Sequence, residues 1–240
     1  MEIVLILVVV GVIATIAWFA HQARKARREA LARVAARLGL RFDPEPRRWG
    51  GGLFGGGENL APFPVFDRGH GRRSSNHLEG FLRAWERDLP LLSGDYSYQI
   101  TSGAGKSRHT RTYRLSFLLV RLPFGHPTPG LRLRREGFGD RIAAAVGFDD
   151  INFESAEFSR RFHVASEDRR FAYQLLDPRM IAFLLDLEPP DFALSGEYLL
   201  VTPAAGLVCW EPEHFDAAVA WTREFLSRWP DFLVKDLSAR

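Results

Sequence analysis

Cysteine is all but missing from this chain: Cys209 is the single one in 240 residues. That excludes a disulfide framework and any multi-cysteine zinc or iron–sulfur site. Lysine is nearly as scarce, at Lys25, Lys106 and Lys235 only, so arginine supplies the other 29 of the 32 basic groups. This bias reflects composition rather than a binding function. The seven histidines contain no HxH or HExxH pair, EF-hand spacing is absent around Asp149, Asp150, Glu154 and Glu157, and no GxSxG elbow occurs. No repeat of fixed period is visible. Intrinsic disorder is excluded as well, because 46% of residues are apolar and 12% aromatic, enough for a real core.

What charge there is lies unevenly. The formal net charge of +3 divides into +4 over residues 1–40, +6 over 41–140 and −7 over 141–240. A sequence pI near 9.3 therefore does not point to nucleic acid, and no nucleic-acid partner is expected.

Ile3 to Ala20 is an uncharged, mostly branched aliphatic run. At 1.5 Å per residue it spans roughly 27 Å, close to the hydrocarbon core of a bilayer. Trp18 and Phe19 stand at its end, where aromatic rings favour the interface, and Arg24, Lys25, Arg27 and Arg28 follow. A signal peptide carries its basic residues before the apolar run, not after it. Residues 1–21 thus read as a transmembrane anchor in contact with the bilayer through 3–20. The basic flank places the N-terminus outside and the rest in the cytoplasm, a single-pass protein of the cell inner membrane. Residues 22–40 read as a basic helical stalk with Leu31, Val34, Ala35 and Leu38 on one face and Gly39 ending it. Arg24, Lys25, Arg27 and Arg28 are the candidate lipid head-group contacts.

Residues 41–60 read as a Gly/Pro-rich linker and 61–240 as one cytoplasmic domain. Strands are expected at Val65–Asp67, Leu78–Trp85, Asp95–Thr101, Arg111–Leu122 and Leu131–Arg135, the third from the alternation of Tyr96, Tyr98 and Ile100 with Ser97 and Gln99. Short helices are expected at Asp140–Val146 and near 157–162, then from Ser166 to 176. Another starts after Asp177, with Pro178 at its first position. Strands at His163–Ala165, Phe192–Val201 and Leu207–Trp210 complete the sheet. A final amphipathic helix from Pro212 to Trp229 turns Phe215, Val219, Thr222, Leu226 and Trp229 inward. The fold class is α+β, with a mixed, mainly antiparallel sheet.

Ser102-Gly-Ala-Gly-Lys-Ser107 imitates the end of a phosphate-binding loop, but the first glycine of that pattern is absent and a strand pattern follows instead of a helix, so it reads as a hairpin tip. Cys209 lies in an apolar stretch that would raise its pKa, unlike a nucleophile. Arg68, Arg72, Arg73, Arg83 and Arg87 either gather on one membrane-facing surface or scatter in pairs with Asp67, Glu79, Glu86 and Asp88.

Asp150-Ile-Asn-Phe-Glu154, Glu157-Phe-Ser-Arg-Arg-Phe-His-Val164, Ser166, Asp168, Ala172 and Leu175-Leu-Asp-Pro-Arg-Met180, preceded by Asn76-x-x-x-Gly80 and Asp95-Tyr96-x-Tyr98, resemble an uncharacterised family of bacterial single-span membrane proteins. The resemblance covers roughly residues 76–210 and implies a tethered cytoplasmic α+β domain. It implies no activity, no cofactor and no catalytic or metal-binding residue. The expected function is a non-enzymatic binding or scaffolding module at the inner face of the membrane, with a protein partner; the alternative is a hydrolase or transferase whose site assembles from distant loops.

Overall fold

A computed structural model describes residues 1–49, 63–135, 149–186, 189–204 and 208–239. The expected helix at Asp140–Val146 and most of the Gly/Pro-rich linker lie outside these residues.

The first helix, α1 (Glu2–Leu38), runs without a break from the apolar span into the basic segment. Gly39 ends it in the left-handed conformation, its N–H reaching the carbonyls of Ala35 and Ala36. It is long and apolar enough to cross a membrane, and its apolar window is not buried in the fold. Its last three turns behave differently. Leu31, Val34 and Ala35 are buried in the main core, with Leu38 packed beside them. The chain then turns back as β1 (Arg41–Asp43) and β2 (Arg47–Arg48), both paired to one edge of β3 (His70–Ala84). Two pieces of the expected linker are therefore strands of the sheet.

The other strands are β4 (Arg87–Ser102), β5 (His109–Arg121), β6 (Thr128–Arg135), β7 (Asp149–Asp150), β8 (Phe162–Ser166), β9 (Asp191–Gly196) and β10 (Tyr198–Thr202). They form one sheet in the order β1-β3-β4-β5-β10-β9-β6-β8-β7, and every described pairing is antiparallel. This is the expected α+β architecture. β3, β4 and β5 make a long meander, joined at one end by the Trp85–Glu86 turn and at the other by the Gly103–Arg108 tip.

Alternation along these strands feeds two cores. Leu89, Leu91, Leu118, Val120, Leu199 and Val201 face the larger one. Helices α3 (Arg169–Leu175), α4 (Pro178–Asp186), α5 (Pro212–Ser227) and α6 (Asp231–Ala239) contribute buried side chains to that core together with the end of α1. Leu92, Tyr96, Tyr98, Leu115, Phe117 and Leu119 point the other way, to a smaller aromatic core. Trp49 and Phe66 cap it, with ring centroids 4.3 Å apart, and the Tyr96 hydroxyl donates to the Phe66 carbonyl at 3.0 Å.

Several local expectations change. Val65–Asp67 is not a strand: Pro64–Phe66 is one 3-10 turn, because Pro64 takes its first position and the Phe66 N–H closes onto Phe63. Asp168, rather than Ser166, caps α3 by accepting from the N–H groups of Arg170 and Phe171. Residues 208–210 are irregular, although the Ser116 N–H donates to the Val208 carbonyl at 3.0 Å. The expected final helix is α5, ending two residues early at Ser227, and beyond Pro230 the chain forms a further helix, α6, that was not expected. Phe158 anchors the short α2 (Ala156–Arg161), and Asp177 caps α4 as expected.

Candidate functional site

The place where α1 leaves its apolar span and meets the sheet holds the densest polar network among the described residues. Asp95 sits in β4 on the face that α1 covers. The Arg27 guanidinium donates to both of its oxygens, at 3.0 Å to Oδ1 and at 3.1 and 3.2 Å to Oδ2. The Asn76 side-chain amide donates to Oδ2 at 2.9 Å and the Ser116 hydroxyl to Oδ1 at 2.7 Å. Ser116 in turn accepts from the Trp210 N–H at 2.8 Å, and Arg27 also lies 4.0 Å from Glu211. One carboxylate thus ties together α1, β3, β4, β5 and the segment leading into α5.

The sequence builds this joint with a backbone irregularity. Between Ser75 and Leu78, β3 advances three residues while β4 advances only two, from Asp95 to Ser93. The extra residue is a β-bulge, and Asn76 within it has a φ of 55°, a left-handed conformation that asparagine tolerates better than most residues. The bulge crowds Gly94, where an added Cβ would meet the Ser75 carbonyl oxygen at 3.0 Å. Glycine at 94 and asparagine at 76 are thus what brings the amide onto Asp95.

Electrostatics favour the pair. Burial works against the Arg27 charge, but the Asp95 carboxylate and its hydrogen bonds outweigh that and hold the guanidinium pKa above its ordinary value. Arg37 reinforces the attachment by pairing with Asp216 of α5.

A groove of about 1000 Å³ opens beside this joint. Val208, Cys209, Trp210, Ala217, Ala218 and Trp221 contribute much of its wall, with Glu211, His214 and Glu224 among the charged or titratable groups around it. Burial, helped by Asp95, pushes the Cys209 thiol up to about 11, so it is protonated at neutral pH and a poor nucleophile. The groove can hold an apolar side chain or acyl segment; its cysteine is not set up for covalent chemistry.

The four candidate head-group contacts separate. Arg24, Lys25 and Arg28 are exposed on α1, with Arg24 hydrogen-bonded to the Ala20 carbonyl. Arg27 is turned into the domain. Nothing in the local sequence marks this, because its partner lies 68 residues away. Asp95 and Asn76 both belong to the motifs quoted for the family resemblance; Ser116 and Glu211 carried no signal. The five arginines considered for one face are divided: Arg72 pairs with Asp67 at 2.8 Å at one end of β3, and Arg83 pairs with Asp88 at 3.2 Å at the other. The Ser102–Ser107 segment is the β4–β5 tip, a 3-10 turn followed by a strand, so no helix N-terminus faces a phosphate there.

No family model matches the chain, and no curated protein matches it. Among solved structures, the crystal structure of the mycobacterial trehalose monomycolate transport factor A, TtfA, is similar, with a TM-score of 0.54 over 86% of this chain and 96% of that one, at 12% sequence identity. At that identity the likeness is one of fold.

Proposed function

We propose that this protein is a membrane-anchored, non-enzymatic binding or scaffolding module at the inner face of a bacterial membrane. The observation that carries the reading is the unbroken passage of α1 from an exposed apolar span into the domain core, locked by the Arg27–Asp95 pair. A free tether would let the domain drift from the bilayer; a docked helix holds its surfaces at a set height and orientation. The protonated setting of Cys209 and the apolar groove favour binding over covalent chemistry. The fold shared with a mycobacterial transport factor fits a module that serves membrane transport through a partner.

The orientation follows from charge. Arg24, Lys25, Arg27 and Arg28 flank one end of the span, whereas Glu2 stands at the other, so the domain belongs on the cytoplasmic side. The test is a pair of reporters fused after residue 240. Green fluorescence with an inactive alkaline phosphatase is the expected result; active phosphatase overturns the orientation. Crosslinking in intact cells before detergent extraction, followed by capture of the full chain, tests the partner: one stoichiometric crosslinked membrane protein supports the reading, and none contradicts it.

A further inference from the structure

We propose that the tip of the β4–β5 hairpin is a second membrane contact, a basic finger that rests on anionic phospholipid head groups of the bilayer that α1 spans. The inference rests on the anchored reading above and adds a surface to it.

Relative position comes from two fixed points on the sheet. Arg27 of α1 is bound to Asp95. Thirteen residues later Leu40 lies against Gly80, so close that a Cβ there would meet its Cδ2 at 2.7 Å, and Gly80 is paired with Leu91. From Arg27 to Leu38, where the helix ends beside Leu40, the chain therefore moves about 17 Å along the helix while descending about 13 Å along β4. Followed the other way, α1 climbs toward its apolar span as β4 climbs toward Ser102. Ser102 is about 23 Å beyond Asp95, which at the same ratio projects to about 18 Å along the helix axis. Phe19 at the end of the span is about 12 Å beyond Arg27. The hairpin tip thus reaches the level at which the span enters the hydrocarbon.

Its chemistry suits that level. From Tyr96 to Arg135 the chain holds no acidic residue. Arg108, His109, Arg111 and Arg114 are exposed on the finger, and Arg73 is exposed on the neighbouring strand. None of the four arginines has a carboxylate partner among the described residues, in contrast to Arg83 and Arg121 at the far end of the meander, which pair with Asp88 and Glu197. Arg24, Lys25 and Arg28 stand exposed on α1 at the same end. Arginines without carboxylate partners, held on a rigid hairpin within a Debye length of a bilayer, select anionic over neutral lipid.

The test uses the full chain in lipid nanodiscs with Cys209→Ser and a fluorophore on Ser107→Cys or, as control, on Glu86→Cys at the opposite turn. The lipid is phosphatidylcholine with or without phosphatidylglycerol, doped with a head-group nitroxide. Quenching at 107 should exceed that at 86 by about threefold or more in anionic discs, and should fall with added salt and in neutral discs. Arg108→Glu/Arg111→Glu/Arg114→Glu should abolish the difference while unfolding at the same temperature as the parent. Equal quenching at 107 and 86 overturns the proposal, and so does quenching at 107 that is insensitive to lipid charge. Failure of the chain to enter discs at all would instead overturn the anchoring on which the proposal rests.

Discussion

Asp95 has more partners than any other carboxylate described here, and each partner belongs to a different element. Its side chain is only 13% exposed, so removing a partner leaves a charge that water reaches poorly. Arg27→Ala should therefore cost about 2–3 kcal/mol, below the loss for a fully buried pair but well above that of a surface bridge. Urea unfolding in detergent measures it, and a cycle with Asp95→Asn should show coupling of about 1 kcal/mol or more. Asp191 behaves differently. Burial pushes its carboxyl up to about 7, although it accepts the Arg135 N–H at 3.2 Å and has Arg132 and Arg134 nearby. The fold thus holds a proton that the unfolded chain releases near the ordinary value of 3.8. Stability contributed by the neutral form is full below that value and is lost as pH rises through about 7. Asp191→Asn should flatten this decline and unfold at a higher temperature than the parent at pH above 7, read by melting curves on either side of the transition.

At the scale of elements, two junctions decide how the long meander is built. At its far end Trp85 and Glu86 both adopt positive φ, 49° and 59°, the geometry of a tight hairpin turn that glycine or asparagine would fill at less cost. Trp85 contributes to packing there, with its ring 5.3 Å from Phe124 and 5.5 Å from Trp229, whereas Glu86 is exposed and makes no described ion pair. Glu86→Gly should gain about 1 kcal/mol, seen as a higher urea midpoint with an unchanged slope. The absence of a glycine signal explains why the sequence reading sees two separate strands without the turn between them. The helical face of Leu31, Val34, Ala35 and Leu38 was legible, because the 3.6-residue period records which side is apolar. Where that face docks was not.

In the whole molecule the apolar helix and the domain are one piece, because the end of α1 is packed into the core, and that defines where the chain can be cut. A chain beginning at residue 41 loses Leu31, Val34 and Ala35 from the core and leaves Asp95 without Arg27. It should bind a hydrophobic dye and aggregate. A chain beginning at residue 21 keeps every docked contact and should unfold cooperatively as a soluble species; a well-folded chain from residue 41 would contradict this. The basic segment at 22–40 is therefore expected to be part of the domain rather than a spacer.

Sequence alone determined the features set by local chemistry. An uncharged aliphatic run must be a helix suited to lipid, alternation at Tyr96–Ile100 must be a half-buried strand, and Asp177-Pro178 must open a helix, since each depends on residues within a few positions of one another. Only the tertiary structure decided which of four neighbouring basic residues faces the domain. Arg24, Lys25, Arg27 and Arg28 are equivalent in composition, and Arg27 is singled out by a carboxylate 68 residues on that a bulge at Asn76 and a glycine at 94 make accessible. Long-range pairing fixes the register that brings these residues together, and no local pattern carries that register.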